Sequence, residues 1–161
     1  MRIQHYTDWR LGIHNLSVTK RIPISASIEI TRRCNNRCIH CCSNLPLKDP
    51  FARHNEMNAV EHFRILDEMA AAGCLWVLFT GGEIFARRDF LDIYAHAKRQ
   101  GFLITLFTNG TLITPDIADY LVEMPPFYIE VTLYGYTRRI YERVTGVPGS
   151  TATTDSGCWL M

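Results

Sequence analysis

Ile24-Ser-Ala-Ser-Ile-Glu-Ile-Thr-Arg-Arg-Cys-Asn-Asn-Arg-Cys-Ile-His-Cys41 is the stretch whose reading decides the fold. Its first half alternates Ile24, Ala26, Ile28 and Ile30 with Ser25, Ser27, Glu29 and Thr31, the period of a strand. Its second half places Cys34, Cys38 and Cys41 in one short loop at that strand's C-terminal end. Three thiolates so close together can hold three irons of a 4Fe–4S cluster and leave the fourth without a protein ligand. Electron-transfer clusters of this type are usually held by four cysteines. An open metal position is where a site does chemistry, because something other than protein can bind there.

Downstream the chain alternates strand and helix. Asn58 and Glu61 have the spacing of a capping box, and Val60, Phe63, Leu66 and Ala70 form a helical stripe that ends at Gly73. Residues 75–79 are a continuous apolar run, expected for a strand covered on both faces. Asp89 is placed to cap a helix through about Gln100, with Gly101 after it. A third strand spans 103–107, and Thr114-Pro115 opens a third helix that Pro125-Pro126 stops. A fourth strand spans 128–133, and a fourth helix begins within 137–145. Repeated βα units imply an α/β fold with a parallel sheet and right-handed crossovers. In such sheets ligands bind at the C-terminal ends of the strands.

The three-then-two cysteine spacing resembles the cluster motif of the radical S-adenosylmethionine (SAM) superfamily. Three more segments resemble that family in order: Thr80-Gly81-Gly82-Glu83, its Gly-Gly-Glu motif; Phe107-Thr108-Asn109-Gly110-Thr111, its third-strand segment; and Val131-Thr132-Leu133-Tyr134-Gly135, the fourth-strand segment of members carrying a C-terminal SPASM cluster domain. The resemblance implies a partial (β/α) barrel of the radical SAM type over residues 22–149, with about four βα units of an expected six. Residues 1–21 would be an N-terminal extension. Residues 150–161 lack any helical or strand period and read as an anomalous tail, as if the core were truncated near Ser150 by a premature stop or frameshift.

The resemblance also implies cofactors and roles: a 4Fe–4S cluster on Cys34, Cys38 and Cys41, and SAM at the open iron. Gly81, Gly82 and Glu83 would meet the SAM amino group, Thr132 its carboxylate and His40 its adenine. Reductive cleavage of SAM would yield methionine and a 5′-deoxyadenosyl radical that takes hydrogen from a peptide or small-molecule substrate, with a reductant such as flavodoxin or ferredoxin. Ile84 stands where the family usually has proline. Each residue also has a plainer reading. Gly81-Gly82 and Asn109-Gly110 make turns on any account, Glu83 could be a solvated loop acid, and His40 and Thr132 could simply pack.

Two other functions stay open: a catalytically inactive, truncated iron–sulfur-binding remnant, and a structural zinc module built on three cysteines and His40. Against zinc, His40 adjoins Cys41 and no second ligand pair follows. Cys42 reads as a neighbouring non-ligand thiol and Cys74 as core, while Cys158 falls in the tail. Tyr134, Tyr136 and Tyr141 either pack or line a substrate cavity.

Composition narrows the class. The chain has 161 residues, 47% of them hydrophobic, enough for one domain with a core, and its net charge of +1 leaves no basic footprint for nucleic acid. No apolar run approaches a membrane span. The first twenty residues lack the apolar region of a signal peptide, so a cytoplasmic protein with reduced thiols is expected.

Overall fold

The computed structural model describes residues 6–43 and 45–150. Helix α1 (Tyr6–Lys20) leads into β1 (Ser25–Thr31). A bridge of two short strands, β2 (Arg33–Cys34) and β3 (Leu45–Pro46), is followed by α2 (Pro50–Asn55) and α3 (Ala59–Ala71). Then come β4 (Trp76–Gly81), a 3-10 turn (Ile84–Ala86), α4 (Phe90–Arg99), β5 (Leu103–Thr108), α5 (Pro115–Glu123), β6 (Tyr128–Val131) and α6 (Arg138–Thr145). The main sheet has the order β1-β4-β5-β6, every pair parallel. Each neighbour in the sheet is the next βα unit in sequence, the winding that begins a barrel.

Helices α3, α4 and α5 cover one face. Ile28, Ile30, Val77, Phe79, Ile104 and Leu106 pack there against Leu66 of α3, Phe90, Ile93, Tyr94 and Ala97 of α4, and Leu121 of α5. Phe90 anchors this layer, edge-on to both Phe79 and Phe85. The other face carries Ser25, Ser27 and Glu29, all exposed, with Trp76, Leu78, Leu103 and Thr105 half-buried. The apolar run at 75–79 therefore does not mean equal cover on both sides. Trp76 and Leu78 lie on the face that a closed barrel turns inward.

Local signals hold where they are geometric. Asn58 accepts from the Glu61 N–H at 3.0 Å, and Glu61 returns a bond to the Asn58 N–H at 2.7 Å. Thr114 caps α5 and Thr137 caps α6, each accepting an N–H three residues on. Three details differ from the sequence expectation. Val60 is 72% exposed, and the buried stripe of α3 runs instead through His62 and Leu66. Asp89 holds the N-cap position of α4 but makes no cap bond, because Arg87 takes both its carboxylate oxygens. Strand β6 ends at Val131, so Thr132 and Leu133 lie in the following loop. Among the described residues no helix is long and apolar enough to cross a membrane. The tail from 151 onward, Cys158 included, lies outside the described residues.

Candidate active site at the strand ends

The bridge of β2 with β3 closes the base of the cysteine loop. Cys34 and Cys38 are buried, whereas Cys41 and Cys42 are exposed. The loop is held from the far end of the fold. The Arg37 N–H donates to the Thr145 carbonyl at 2.7 Å and the Ile39 N–H to the Val144 carbonyl at 3.0 Å. The last carbonyls of a helix lack intrahelical partners, and the cysteine loop supplies them for α6. Nothing local in the sequence signals this long-range docking.

The Gly-Gly-Glu segment leaves β4 pressed against the end of β1. Gly82 N–H donates to the Thr31 carbonyl at 2.7 Å and Glu83 N–H to the Arg33 carbonyl at 2.9 Å. Gly81 has φ +136°, and a Cβ there would lie 2.2 Å from the Thr31 oxygen; one on Gly82 would lie 2.4 Å from the Arg33 oxygen. The glycines are thus required by backbone-to-backbone contact within the chain. Glu83 is fully buried. Its Oε1 accepts from Thr108 Oγ1 at 2.7 Å and from the Phe85 N–H at 3.2 Å, and its Oε2 accepts from the Asn109 N–H at 2.8 Å. The reading of Glu83 as a solvated loop acid is corrected: it ties the β4 loop to the end of β5. Burial pushes its carboxyl above the usual range, against the pull of those donors. Ile84, in the place of the family's proline, is fully buried in the core.

Asn109 and Tyr134 reach the cysteines. Asn109 Nδ2 lies 3.6 Å from Cys34 Sγ and 2.9 Å from Asn35 Oδ1. The Asn36 N–H also points to Cys34 Sγ, at 3.4 Å. The Tyr134 hydroxyl sits beside Cys38 and Thr132, close enough to interact with both. Burial, then the neighbouring Cys38, pushes that hydroxyl up to about 12. Exposed His40 lies across the Tyr134 ring, 5.1 Å between centroids. Tyr141 is buried and Tyr136 wholly exposed, so these tyrosines do not form one wall. Cys74 is core, as expected, its thiol directed at the Ile24 and Trp76 carbonyls.

Beside this site lies a cleft of about 610 Å³, lined in part by Arg33, Glu56, Arg87 and Asp89. Arg33 grips Glu56 with Nε and Nη2 at 2.8 and 2.9 Å, and Thr31 bonds the same carboxylate. Buried Arg87 joins the Ile30 carbonyl, the Met57 carbonyl and Asp89. Burial pushes the Glu56 carboxyl up, but the bonds and charge of Arg33 outweigh it and hold the group below its usual value. Asp89 is lowered chiefly by its bond to Arg87. A lowered folded pKa contributes stability that is present above the unfolded value, about 4 for such groups, and lost as pH falls through the folded one. Glu83, shifted upward, has the opposite sign. The urea midpoint is expected to fall in that acid window, and Glu56→Gln to flatten the fall while lowering stability at neutral pH. Parallel acid limbs for the two proteins would exclude Glu56 as a contributor.

Among the described residues no three His, Cys, Asp or Glu side chains are gathered as a metal site. Cys34 and Cys38 are close enough to influence each other, as are Cys38 and Cys41. Thiols are the donor chemistry of iron–sulfur clusters, and both amide atoms of buried Asn36, between the first two cysteines, have no partner. The donor set fits a cluster, with Cys41 at the exposed end of the loop.

The chain matches the radical SAM superfamily over residues 28–154 and belongs to it. The cofactors of this family are a 4Fe–4S cluster and SAM. Fe-coproporphyrin III synthase of Methanosarcina barkeri is 35% identical over 141 residues, covering 88% of this chain and 34% of that protein. PqqA peptide cyclase of Rhodopseudomonas palustris is 30% identical over 138 residues, covering 86% and 36%. The mycofactocin maturase MftC of Mycobacterium tuberculosis is 29% identical, covering 77% and 31%. The resemblance to maturase and cofactor-biosynthesis members holds, and these relatives are enzymes. The chain spans about a third of their length. SuiB of Streptococcus suis, solved with S-adenosylmethionine, shares the fold at a TM-score of 0.66 and 18% identity, over 94% of this chain and 34% of that one. The fold is thus a partial (β/α) barrel of the radical SAM type.

Proposed function

We propose that this chain holds a 4Fe–4S cluster through Cys34, Cys38 and Cys41 and binds SAM beside it, as the core of a radical SAM enzyme that matures a peptide or a cofactor. The observation that carries this reading is a continuous set of contacts: Glu83 to Asn109, and Asn109 to Cys34. Three segments distant in sequence are thereby fastened together at the strand ends. When bound, the cluster and SAM supply reductive cleavage to a 5′-deoxyadenosyl radical.

The chain's own residues bind and orient. Partly exposed Gly81 and Gly82 offer backbone to the SAM amino group. Glu83, with no exposed surface, works by holding that backbone in place. Exposed Thr132 is available to the SAM carboxylate and His40 to the adenine. A peptide substrate agrees with relatives named as a peptide cyclase and a maturase, and a cofactor route with the coproporphyrin synthase. The reductant is a flavodoxin or ferredoxin, and the setting is the cytoplasm, where thiols stay reduced.

Anaerobically reconstituted protein, reduced and given SAM, is expected to form methionine and 5′-deoxyadenosine, measured by chromatography, and the Cys38→Ala variant to form neither. A protein that takes up iron and sulfide yet leaves SAM intact would be the inactive iron–sulfur remnant. Uptake of zinc without sulfide would identify the zinc module.

A further inference from the structure

Asn109 spends only half of its side chain on its own turn. Its Oδ1 accepts from the Thr111 N–H at 2.9 Å, the local bond that asparagine commonly makes in turns. A backbone N–H can only donate, so the amide orientation is settled: Oδ1 faces Thr111 and Nδ2 faces the cysteine loop. There Nδ2 meets Asn35 Oδ1 at 2.9 Å and Cys34 Sγ at 3.6 Å. Asn35 Nδ2 donates to Thr111 Oγ1 at 2.6 Å, and that hydroxyl donates to Asn109 Oδ1, closing a ring of three side chains. Asn109 is 7% exposed, and hydrogen bonds in such surroundings are electrostatically stronger than in water.

We propose that Asn109 is a positioning residue for Cys34, and that its side-chain amide, by donating to the Cys34 sulfur, raises the reduction potential of the bound cluster. This rests on the cluster assignment made above. Hydrogen bonds to ligand sulfurs are among the factors that set such potentials, because a donor favours the more electron-rich reduced state. The ring through Asn35 and Thr111 keeps the donor aimed.

The test is a redox titration of the reconstituted full chain, followed by electron paramagnetic resonance. Asn109→Leu keeps the side-chain outline and removes the donor; Asn109→Asp removes it and adds an acceptor. Both are expected to make reduction about tenfold less favourable, a shift of about 59 mV downward for one electron. Thr111→Val removes the hydroxyl from the ring but keeps the Thr111 N–H bond that orients Asn109, and is expected to shift the potential less. A variant that retains the fold by circular dichroism but no longer takes up the cluster also supports the positioning of Cys34. An unchanged potential in a cluster-bearing Asn109 variant overturns the proposal, as does an equal shift in Thr111→Val. Should the Asn109 variants fail to fold, pulsed resonance of the reduced wild-type protein carrying nitrogen-15 asparagine decides: hyperfine coupling to a side-chain amide supports the proposal, and its absence overturns it. Failure of the wild-type chain to assemble any cluster would instead count against the function proposed above.

Discussion

Alanine at Cys34, Cys38 or Cys41 is expected to abolish the broad visible absorbance of the anaerobically reconstituted protein, and alanine at Cys42 or Cys74 to leave it. A cluster with one open iron has only three protein ligands, so the loss of one thiolate leaves two irons without protein. Asn109 contacts Cys34 and Tyr134 lies beside Cys38. Cys74 lies before β4, with its thiol against the Ile24 and Trp76 carbonyls at the opposite end of the strands from the cysteine loop. Iron and sulfide analysis checks the result. Equal loss in the Cys42→Ala variant would contradict the ligand assignment.

Gly81→Ala is expected to unfold the protein or come close to it. A Cβ would sit 2.2 Å from the Thr31 carbonyl oxygen, at a φ of +136° that side chains rarely adopt. Relief requires β4 to move off the end of β1, which breaks the Gly82 and Glu83 bonds to Thr31 and Arg33 as well. Several such losses together reach about 4 kcal/mol or more, against a net stability of about 5–15 kcal/mol for a typical domain. Gly101→Ala separates the two causes. Gly101 has φ +87° with nothing within 4 Å of a Cβ, so only backbone strain is added, about 1–2 kcal/mol. Urea unfolding of both variants measures the difference. If the two cost the same, the close approach at Gly81 is not what demands glycine.

The parts of the fold legible in the sequence are those with a local cause. The alternation from Ile24 to Thr31 places β1 because the period of two follows from the pleat. Asn58 with Glu61, and Thr114 with Pro115, mark helix starts because the caps are made within one turn. Asp49-Pro50 carries the same signal for α2, a helix not expected from the sequence because its six residues leave no apolar stripe. Helix α1 has no such stripe either, so periodicity passes it by. What was not legible depends on partners far along the chain. Val60 faces outward while His62, on the other side of α3, is buried beside Arg87, 25 residues further on. Asp89 makes no cap bond because Arg87 holds its carboxylate. At the candidate site the motifs single out the cysteines, glycines and glutamate, but give no sign that Glu83 is buried. Its carboxylate is covered by Thr108 and Asn109 from the next strand end. Asn109 looked like a turn residue because half of it is one.

The measurement closest to the central claim is the electron paramagnetic resonance spectrum of the reduced, reconstituted protein with and without SAM. A cluster held by Cys34, Cys38 and Cys41 keeps one iron open to a ligand that is not protein, and SAM bound beside the Gly81–Glu83 loop must perturb it. A changed spectrum at saturating SAM is the expected result. A spectrum of a reduced 4Fe–4S cluster that stays the same when SAM is added would contradict the site proposed for this chain.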